Sequence, residues 1–340
     1  MRYRFVTADV FTDQPFGGNP LAVLPDARGL DDALMQKIAR EFNLSETVFV
    51  LPPASPAHTR KLRIFTPTTE VPFAGHPTVG TALVLARLGE LPLQDAVTHS
   101  VFEEGAGPVP VTIAARDGHA TFAELSAPQA PDLLAARPAA LIASALSLTP
   151  SDLLAEQGLP RVVSCGLPFL LVRLTDRQAL ARARLNRSVW ERQLAGSPAA
   201  HVFLFATTDD ENGAEGHTVQ ARMFAPGSGV DEDPATGSAA AALGGWLGST
   251  SPLADGTIRC VIAQGLEMGR PSRLEVEVDK RAGAVIAVRV GGSAILVSEG
   301  TIEVPEARAG QAAARADPGL PKAAAGAGAI ARAMVAEGAR

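Results

Sequence analysis

The sequence predicts an α+β protein built from two similar halves. Its 340 residues exceed the usual single-domain mode and suit two domains of roughly 150 residues each. Short alternating or β-rich runs far outnumber helical patterns. Motifs of the first half also recur, in order, in the second. The apolar fraction of 46% against 19% charged residues is that of a chain able to bury a core in each half.

Residues 3–11 alternate as a strand, Gly17-Gly18-Asn19-Pro20 punctuates, and an apolar run resumes at residues 21–24. A helix follows: Asp31 or Asp32 caps it, Leu34, Ile38 and Phe42 recur every fourth residue, and Asn43 suits its end. Residues 47–51 are β-rich, so Glu46 sits where a helix hands over to a strand, a junction that can aim a side chain while the elements hold it still. Residues 63–66 form another short strand. A second helix is expected over residues 77–88, with Pro77 at its first position, where a missing N–H costs nothing. Residues 109–115 and 119–125 read as a hairpin around Asp117-Gly118.

Residues 127–139, rich in Pro and Ala without periodicity, mark the expected boundary. The first half is then 1–127, with the last strands, about 285–307, able to return to it; the second is 128–284. Residues 274–278, 284–290 and 294–304 read as three strands. Residues 308–340 are a low-complexity Ala/Gly/Arg tail.

The echo has four members. Gly18-x-Pro20 before an apolar run matches Gly166-x-Pro168, displaced by 148 residues, and Val48-Phe49-Val50 matches Val202-Phe203-Leu204 at 154. Phe65-x-Pro67-x-x-x-Val71 matches Phe224-x-Pro226-x-x-x-Val230 at 159, and Gly75-His76 matches Gly237-Ser238 at 162. Preserved order with a slowly growing offset is what a duplication followed by small insertions leaves.

Several function classes are disfavoured. A net charge of -6 offers no basic footprint for nucleic acid. The most apolar helix candidate is interrupted by Arg87 and too short to cross a membrane. The N-terminal stretch alternates rather than forming an export signal, so a cytoplasmic location is expected. Cys165 and Cys260 have no CxxC spacing, and the six histidines include no His-Glu-x-x-His pair, so neither a disulfide framework nor a metallohydrolase is indicated.

The chemistry-bearing candidates gather at the echoed motifs. Gly75 and Gly237 each let the backbone turn into a helix, whose first turn presents free N–H groups and the positive end of its dipole. Two such ends facing one cleft would hold a small-molecule carboxylate. Taken singly, these starts are good caps, Glu46 a solvated strand start, His76 a capping residue, and Asp233 before Pro234 the opening of a turn. The case for Glu46, His76, Asp233 and Ser238 rests on their occurring together. A buried Asp233 needs a donor or cation, such as a substrate ammonium or a protonated His76.

The phrases DVFTDQPFGGNPLAVL, FNLSETVFV, RIFTPTTEVPFAGHPTVGTA and GVDEDPATGSA resemble the signature stretches of the PhzF-like phenazine-biosynthesis family across about residues 3–305. The resemblance implies the diaminopimelate-epimerase-like fold, two α+β halves each wrapping a sheet around a central helix, with the active site between them. It implies that Glu46 is the general acid/base, that His76, Asp233 and Ser238 bind substrate, that no metal or organic cofactor is needed, and that the protein is a homodimer. The family reaction is isomerisation of trans-2,3-dihydro-3-hydroxyanthranilate by a proton shift.

A same-face shift needs one base, whereas racemising relatives of this fold use paired cysteines at the helix starts. Ala74 and Thr236 stand in those neighbourhoods here, and the echo of Glu46 is Ala200. Partial burial should raise the pKa of Glu46 so that it can accept and donate. Two alternatives stand beside this reading: an isomerase or epimerase of another small amino or hydroxy acid, and a non-catalytic module binding a small ligand or a protein on the same fold.

Overall fold

The computed structural model describes residues 1–155, 158–207 and 217–305; the tail expected at 308–340 lies outside them. Met1 and residues 303–305 belong to a small unit of their own, in which the Met1 amino group donates to the Val304 carbonyl at 2.8 Å. The main unit, Arg2–Ile302, carries the helices and the sheet.

β1 (Arg2–Val10) pairs antiparallel with β2 (Asn19–Leu24), Val6 opposite Val23. Helix α1 (Asp32–Phe42) then crosses over to β3 (Glu46–Leu51), which lies parallel to β2 with Glu46 opposite Leu21. β4 (Arg60–Phe65) runs antiparallel to β3 and pairs with the short β5 (Glu70–Val71). Helix α2 (Gly75–Arg87) carries the chain to β6 (Val97–Glu104), parallel to β4. The antiparallel β7 (Gly107–Arg116) and β8 (His119–Ser126) follow, with Asp117 and Gly118 both at positive φ as the expected hairpin turn requires.

After β9 (Asp132–Ala136) and α3 (Ala139–Ala145) the same pairings recur. β10 (Arg161–Ser164) and β11 (Pro168–Arg173) are antiparallel. α4 (Arg177–Arg182) and α5 (Arg187–Gln193) lead to β12 (Val202–Thr207), parallel to β11. β13 (His217–Ala225) pairs antiparallel with β12 and with β14 (Val230–Asp233), and α6 (Gly237–Thr250) crosses to β15 (Gly256–Gln264), parallel to β13. β16 (Ser272–Arg281) and β17 (Ala284–Gly292) continue antiparallel, and β18 (Ala294–Glu303) pairs with β1. The strand, crossover and helix pattern from β1 to β8 is thus repeated from β10 to β17. β17 also pairs with β8, joining the two sets of strands. The result is the mixed α+β fold with duplicated halves that the echo predicted.

Each half closes around a buried helix. Residues 75–86 of α2 and 237–246 of α6 are all buried, the condition under which a helix must be apolar on every side. Small residues let the sheet approach closely: a Cβ on Gly80 would lie 2.5 Å from the Val10 side chain, and one on Gly244 would lie 2.7 Å from Val276. α1 is amphipathic by contrast, with Asp31 as N-cap accepting from the Leu34 amide and Asn43 ending it in the left-handed region.

Two expectations need correction. α2 begins at Gly75, so Pro77 occupies the third helical position, where its missing N–H is still one the helix cannot pair. The stretch read as aperiodic around residues 127–139 contains β9, whose exposed positions alternate too weakly to be recognised without its partner β10. Among the described residues, no helix is long and apolar enough to cross a membrane.

Candidate active site

α2 and α6 start against each other. A Cβ on Gly75 would lie 2.6 Å from the Gly237 Cα and 2.8 Å from the Ser238 nitrogen, so the two backbones touch where the helices begin. The N-cap residues Ala74 and Thr236 are both extended, and among the described residues neither helix has a side-chain cap. Ser238 is the second residue of α6 and not its cap. The first-turn N–H groups of both helices therefore point into one region with the positive ends of two dipoles behind them, an arrangement that favours an anion.

Glu46 enters this region from the first residue of β3. Its Oε2 lies 3.3 Å from His76 Nε2, at the second residue of α2. The two atoms are buried and form no aligned hydrogen bond. The Glu46 side chain is 18% exposed, against 4% for His76, so a path from solvent reaches the carboxyl but hardly the imidazole.

Asn19, fully buried at the start of β2, ties the two halves together. Its Nδ2 donates to Asp233 Oδ1 and to the Ala235 carbonyl, each at 2.8 Å, and lies 3.2 Å from His76 Nδ1. Because a carboxylate and a carbonyl only accept, the amide orientation is fixed. Both hydrogens of that NH2 group are taken, but an amide nitrogen is no acceptor, so a proton on His76 Nδ1 would find no partner there; this favours the proton on Nε2, facing Glu46. Thr236 Oγ1 donates to Asp233 Oδ2 at 2.5 Å, Ser45 adds a further side-chain hydrogen bond, and Gln264 Nε2 donates to the Asp233 carbonyl at 2.8 Å.

Burial, and then the negative charge of Asp233, push the Glu46 carboxyl well above the usual carboxylate range. Burial raises Asp233 to about 6 against the opposing hydrogen bonds of Thr236, Asn19 and Ser45. Burial lowers His76 to about 3, so the imidazole is neutral at physiological pH. Its 3.3 Å approach to Glu46 is consequently not an ion pair, and a protonated His76 is not the partner of Asp233: the neutral donors Asn19, Thr236 and Ser45 fill that role. Two acids sharing a desolvated site titrate as a pair, and the elevated Glu46 carboxyl is suited both to accept a proton and to return it.

The six residues singled out from the sequence, Glu46, Gly75, His76, Asp233, Gly237 and Ser238, all lie at this meeting of helix starts. Cys165 and Cys260 do not belong to it; both are buried thiols pushed up to about 12 by desolvation, unsuited to acid/base work. Among the described residues, no group of three or more His, Cys, Asp or Glu side chains is arranged to hold a metal ion. Asn19, Thr236 and Gln264 were missed. Asn19 had a legible signal: the echoed Gly-x-Pro motif carries Asn in the first half and Leu167 in the second, and a polar residue amid apolar neighbours asks for buried partners.

Comparison with known proteins agrees with this geometry. The family model described as phenazine biosynthesis-like protein matches residues 8–300. An isomerase of Mesorhizobium japonicum is 42% identical over 306 residues, 88% of this chain and 98% of that one. The trans-2,3-dihydro-3-hydroxyanthranilate isomerase of Pseudomonas aeruginosa is 37% identical over 298 residues, again 88% and 98%. The crystal structure of a PhzF-family phenazine biosynthesis protein of Bacillus anthracis superposes with a TM-score of 0.78 at 27% identity, covering 89% of this chain and all of that one. Duplicated halves, helix starts in contact and a match over nearly the whole main unit make this chain an isomerase of the PhzF phenazine biosynthesis-like family.

Proposed function

We propose that this isomerase moves a proton between two carbons on one face of a small cyclic amino or hydroxy acid, with Glu46 as the single acid/base. The observation that carries the reading is the setting of Glu46: an unpartnered, buried Oε2 beside two uncapped helix starts. The substrate carboxylate sits on the first-turn amides of α2 and α6, which supply hydrogen bonds and positive potential without a cationic side chain. His76 donates its Nε2–H, and Asp233, anchored by Asn19 and Thr236, accepts from a substrate amino or hydroxyl group. These contacts fix which carbon faces Glu46.

The chemistry balances without a second catalyst. The Glu46 carboxylate takes a proton as a C–H bond breaks, the electron pair shifts along the conjugated system, and the carboxylic acid returns the proton to a second carbon on the same face. The echo of Glu46 is Ala200, so the duplication supplies no second copy of the base, which supports a shift over racemisation. The chain's own residues suffice for this step, and the proposal requires no cofactor.

Among small cyclic acids, trans-2,3-dihydro-3-hydroxyanthranilate is the first to test, because it carries a carboxylate, an amine and a hydroxyl on one ring and names the activity of the P. aeruginosa relative. Incubation of the protein with it in deuterated water is expected to consume it and leave deuterium at the carbon that receives the proton. Unchanged substrate would remove that compound while leaving an isomerase of another amino or hydroxy acid. Turnover with the proton delivered to the opposite face would remove the single-base mechanism.

A further inference from the structure

Glu104 and Gln264 occupy corresponding places in the two halves. Each is the last residue of the strand that follows the buried helix, β6 and β15. Each reaches back to the N-cap residue of that helix: the Glu104 carboxyl lies beside the Ala74 backbone amide, and Gln264 Oε1 accepts from the Thr236 amide at 3.2 Å. The following glycines repeat the match. A Cβ on Gly105 would lie 2.9 Å from the Pro72 Cα, and one on Gly265 would lie 3.2 Å from the Pro234 Cα. One half thus secures its helix start with an amide, and the other with an acid.

That acid is placed where a charge does not belong. Thr78 Oγ1 lies 2.7 Å from the Ala74 carbonyl and 2.6 Å from Glu104 Oε1. A hydroxyl has one hydrogen, and the carbonyl can only accept, so the hydrogen on the second contact comes from the carboxyl: Glu104 O–H donates to Thr78 Oγ1, which donates to the Ala74 carbonyl. The other carboxyl oxygen is buried without a partner, tolerable for a neutral C=O and costly for a carboxylate. We infer that Glu104 is a positioning residue held in its neutral form, imitating Gln264, so that the start of α2 keeps its positive potential for the substrate anion. This rests on the anion-binding role proposed for the helix starts.

No neighbouring charge compensates an ionised Glu104. On β6, Glu103 turns to Ala54, Ser55 and His58, and His99 to Thr112. On α2, His76 faces Glu46 and Asn19, while Arg87 is exposed at the far end. On β4, Arg60 donates to the Thr59 and Glu90 carbonyls, Arg63 pairs with Asp32 and with Glu70 of β5, and Lys61 is exposed. On β7, Arg116 is exposed at the distant hairpin turn, and Glu124 of β8 pairs with Arg289. Desolvation accordingly dominates, and the Glu104 carboxyl is pushed up to about 8.

Glu104→Gln tests this without any substrate. Because the folded-state pKa is raised, the stability held by the neutral acid is complete below the ordinary Glu range and is lost as pH rises toward about 8. The variant has no such loss. Melting temperatures of the two proteins are expected to agree at pH 4.5 and to diverge toward pH 8, the variant melting higher by on the order of 5 °C. The infrared difference between the wild type and Glu104→Gln at pH 7 should contain the carbonyl band of one protonated carboxyl, over any band from Glu46 that the two proteins share. With sulfate as anion probe, stabilisation should be equal in the two proteins at pH 6, and weaker in the wild type at pH 9.

A melting difference that stays flat with pH, no protonated-carboxyl band in the wild-type-minus-variant difference, or failure of the variant to fold would overturn neutrality. Equal sulfate stabilisation at pH 9 would overturn the positioning role. None of these readouts depends on turnover, so they separate this inference from the assignment of substrate.

Discussion

Gly75 and Gly237 meet backbone to backbone, with no room for a Cβ on either. The contact sets two helix starts from opposite halves side by side, as the proposed anion site requires. Gly75→Ala would place a methyl group 2.6 Å from the Gly237 Cα, and Gly237→Ala one 2.9 Å from the Gly75 Cα. Each is expected to lower stability by about 1–3 kcal/mol, the range for overpacking. Because both displace the same interface, the double variant should lose less than the sum. Urea denaturation of the three variants measures this, and additive losses would show that the helix starts do not share a rigid contact.

Much of this arrangement was legible because duplication writes the same physical requirement twice. The tight entry into a buried helix demands Gly, so Gly75 and Gly237 survive as an echo, and the apolar strand after Gly18-x-Pro20 survives as β2 and β11. Long-range pairing is harder to read. β6 and β15 went unrecognised: each lies between an antiparallel neighbour, β7 or β16, and a parallel partner more than forty residues away, β4 or β13, which local alternation does not identify. The same reason hid Gln264 and Glu104, whose work is done on helix starts distant in sequence. Glu46 was readable in position but not in environment: its raised pKa comes first from burial and then from the charge of Asp233, which lies in the other half.

Glu46→Gln preserves shape and removes the proton-accepting oxygen. Turnover of trans-2,3-dihydro-3-hydroxyanthranilate is expected to fall by about 10²–10⁴-fold, the usual share of a general acid/base. Affinity for the substrate should be kept, because the amides of α2 and α6 are untouched. Rapid quench kinetics and equilibrium binding on the same preparation separate the two effects, and undiminished turnover would sink the mechanism.

Asn19→Leu copies the residue found in the echoed motif and deletes the NH2 group that donates to Asp233 and Ala235 and lies beside His76 Nδ1. Leaving buried acceptors unpaired costs about 1–3 kcal/mol each, so a melting temperature several degrees lower is expected. Asp233 loses one of the hydrogen bonds that hold its pKa down and should titrate above about 6. His76 also loses the contact that favours its proton on Nε2, so turnover falls even where the variant is fully folded. Carbon-13 NMR of labelled aspartate and nitrogen-15 NMR of labelled histidine follow the two groups separately. An unshifted Asp233 would mean that Asn19 is only a packing residue.

Asp233→Asn separates the electrostatics of the pair. Glu46 must be ionised to begin the reaction, so activity is expected to rise with pH through its raised pKa. The Asp233 carboxylate contributes to that elevation, and its removal leaves only desolvation. The acid limb of kcat/KM should therefore move to lower pH in Asp233→Asn, although the maximum rate falls because a substrate contact is altered. Stability should change in a matching sense. In the wild type, Asp233 is raised to about 6, so the stability held by its neutral form is complete below the ordinary Asp range and lost as pH climbs toward 6. The variant lacks that loss, and its melting temperature should gain on the wild type between about pH 4 and pH 6 and hold its lead above. An acid limb that stays in place or moves upward would show that Asp233 does not act on Glu46 through its charge.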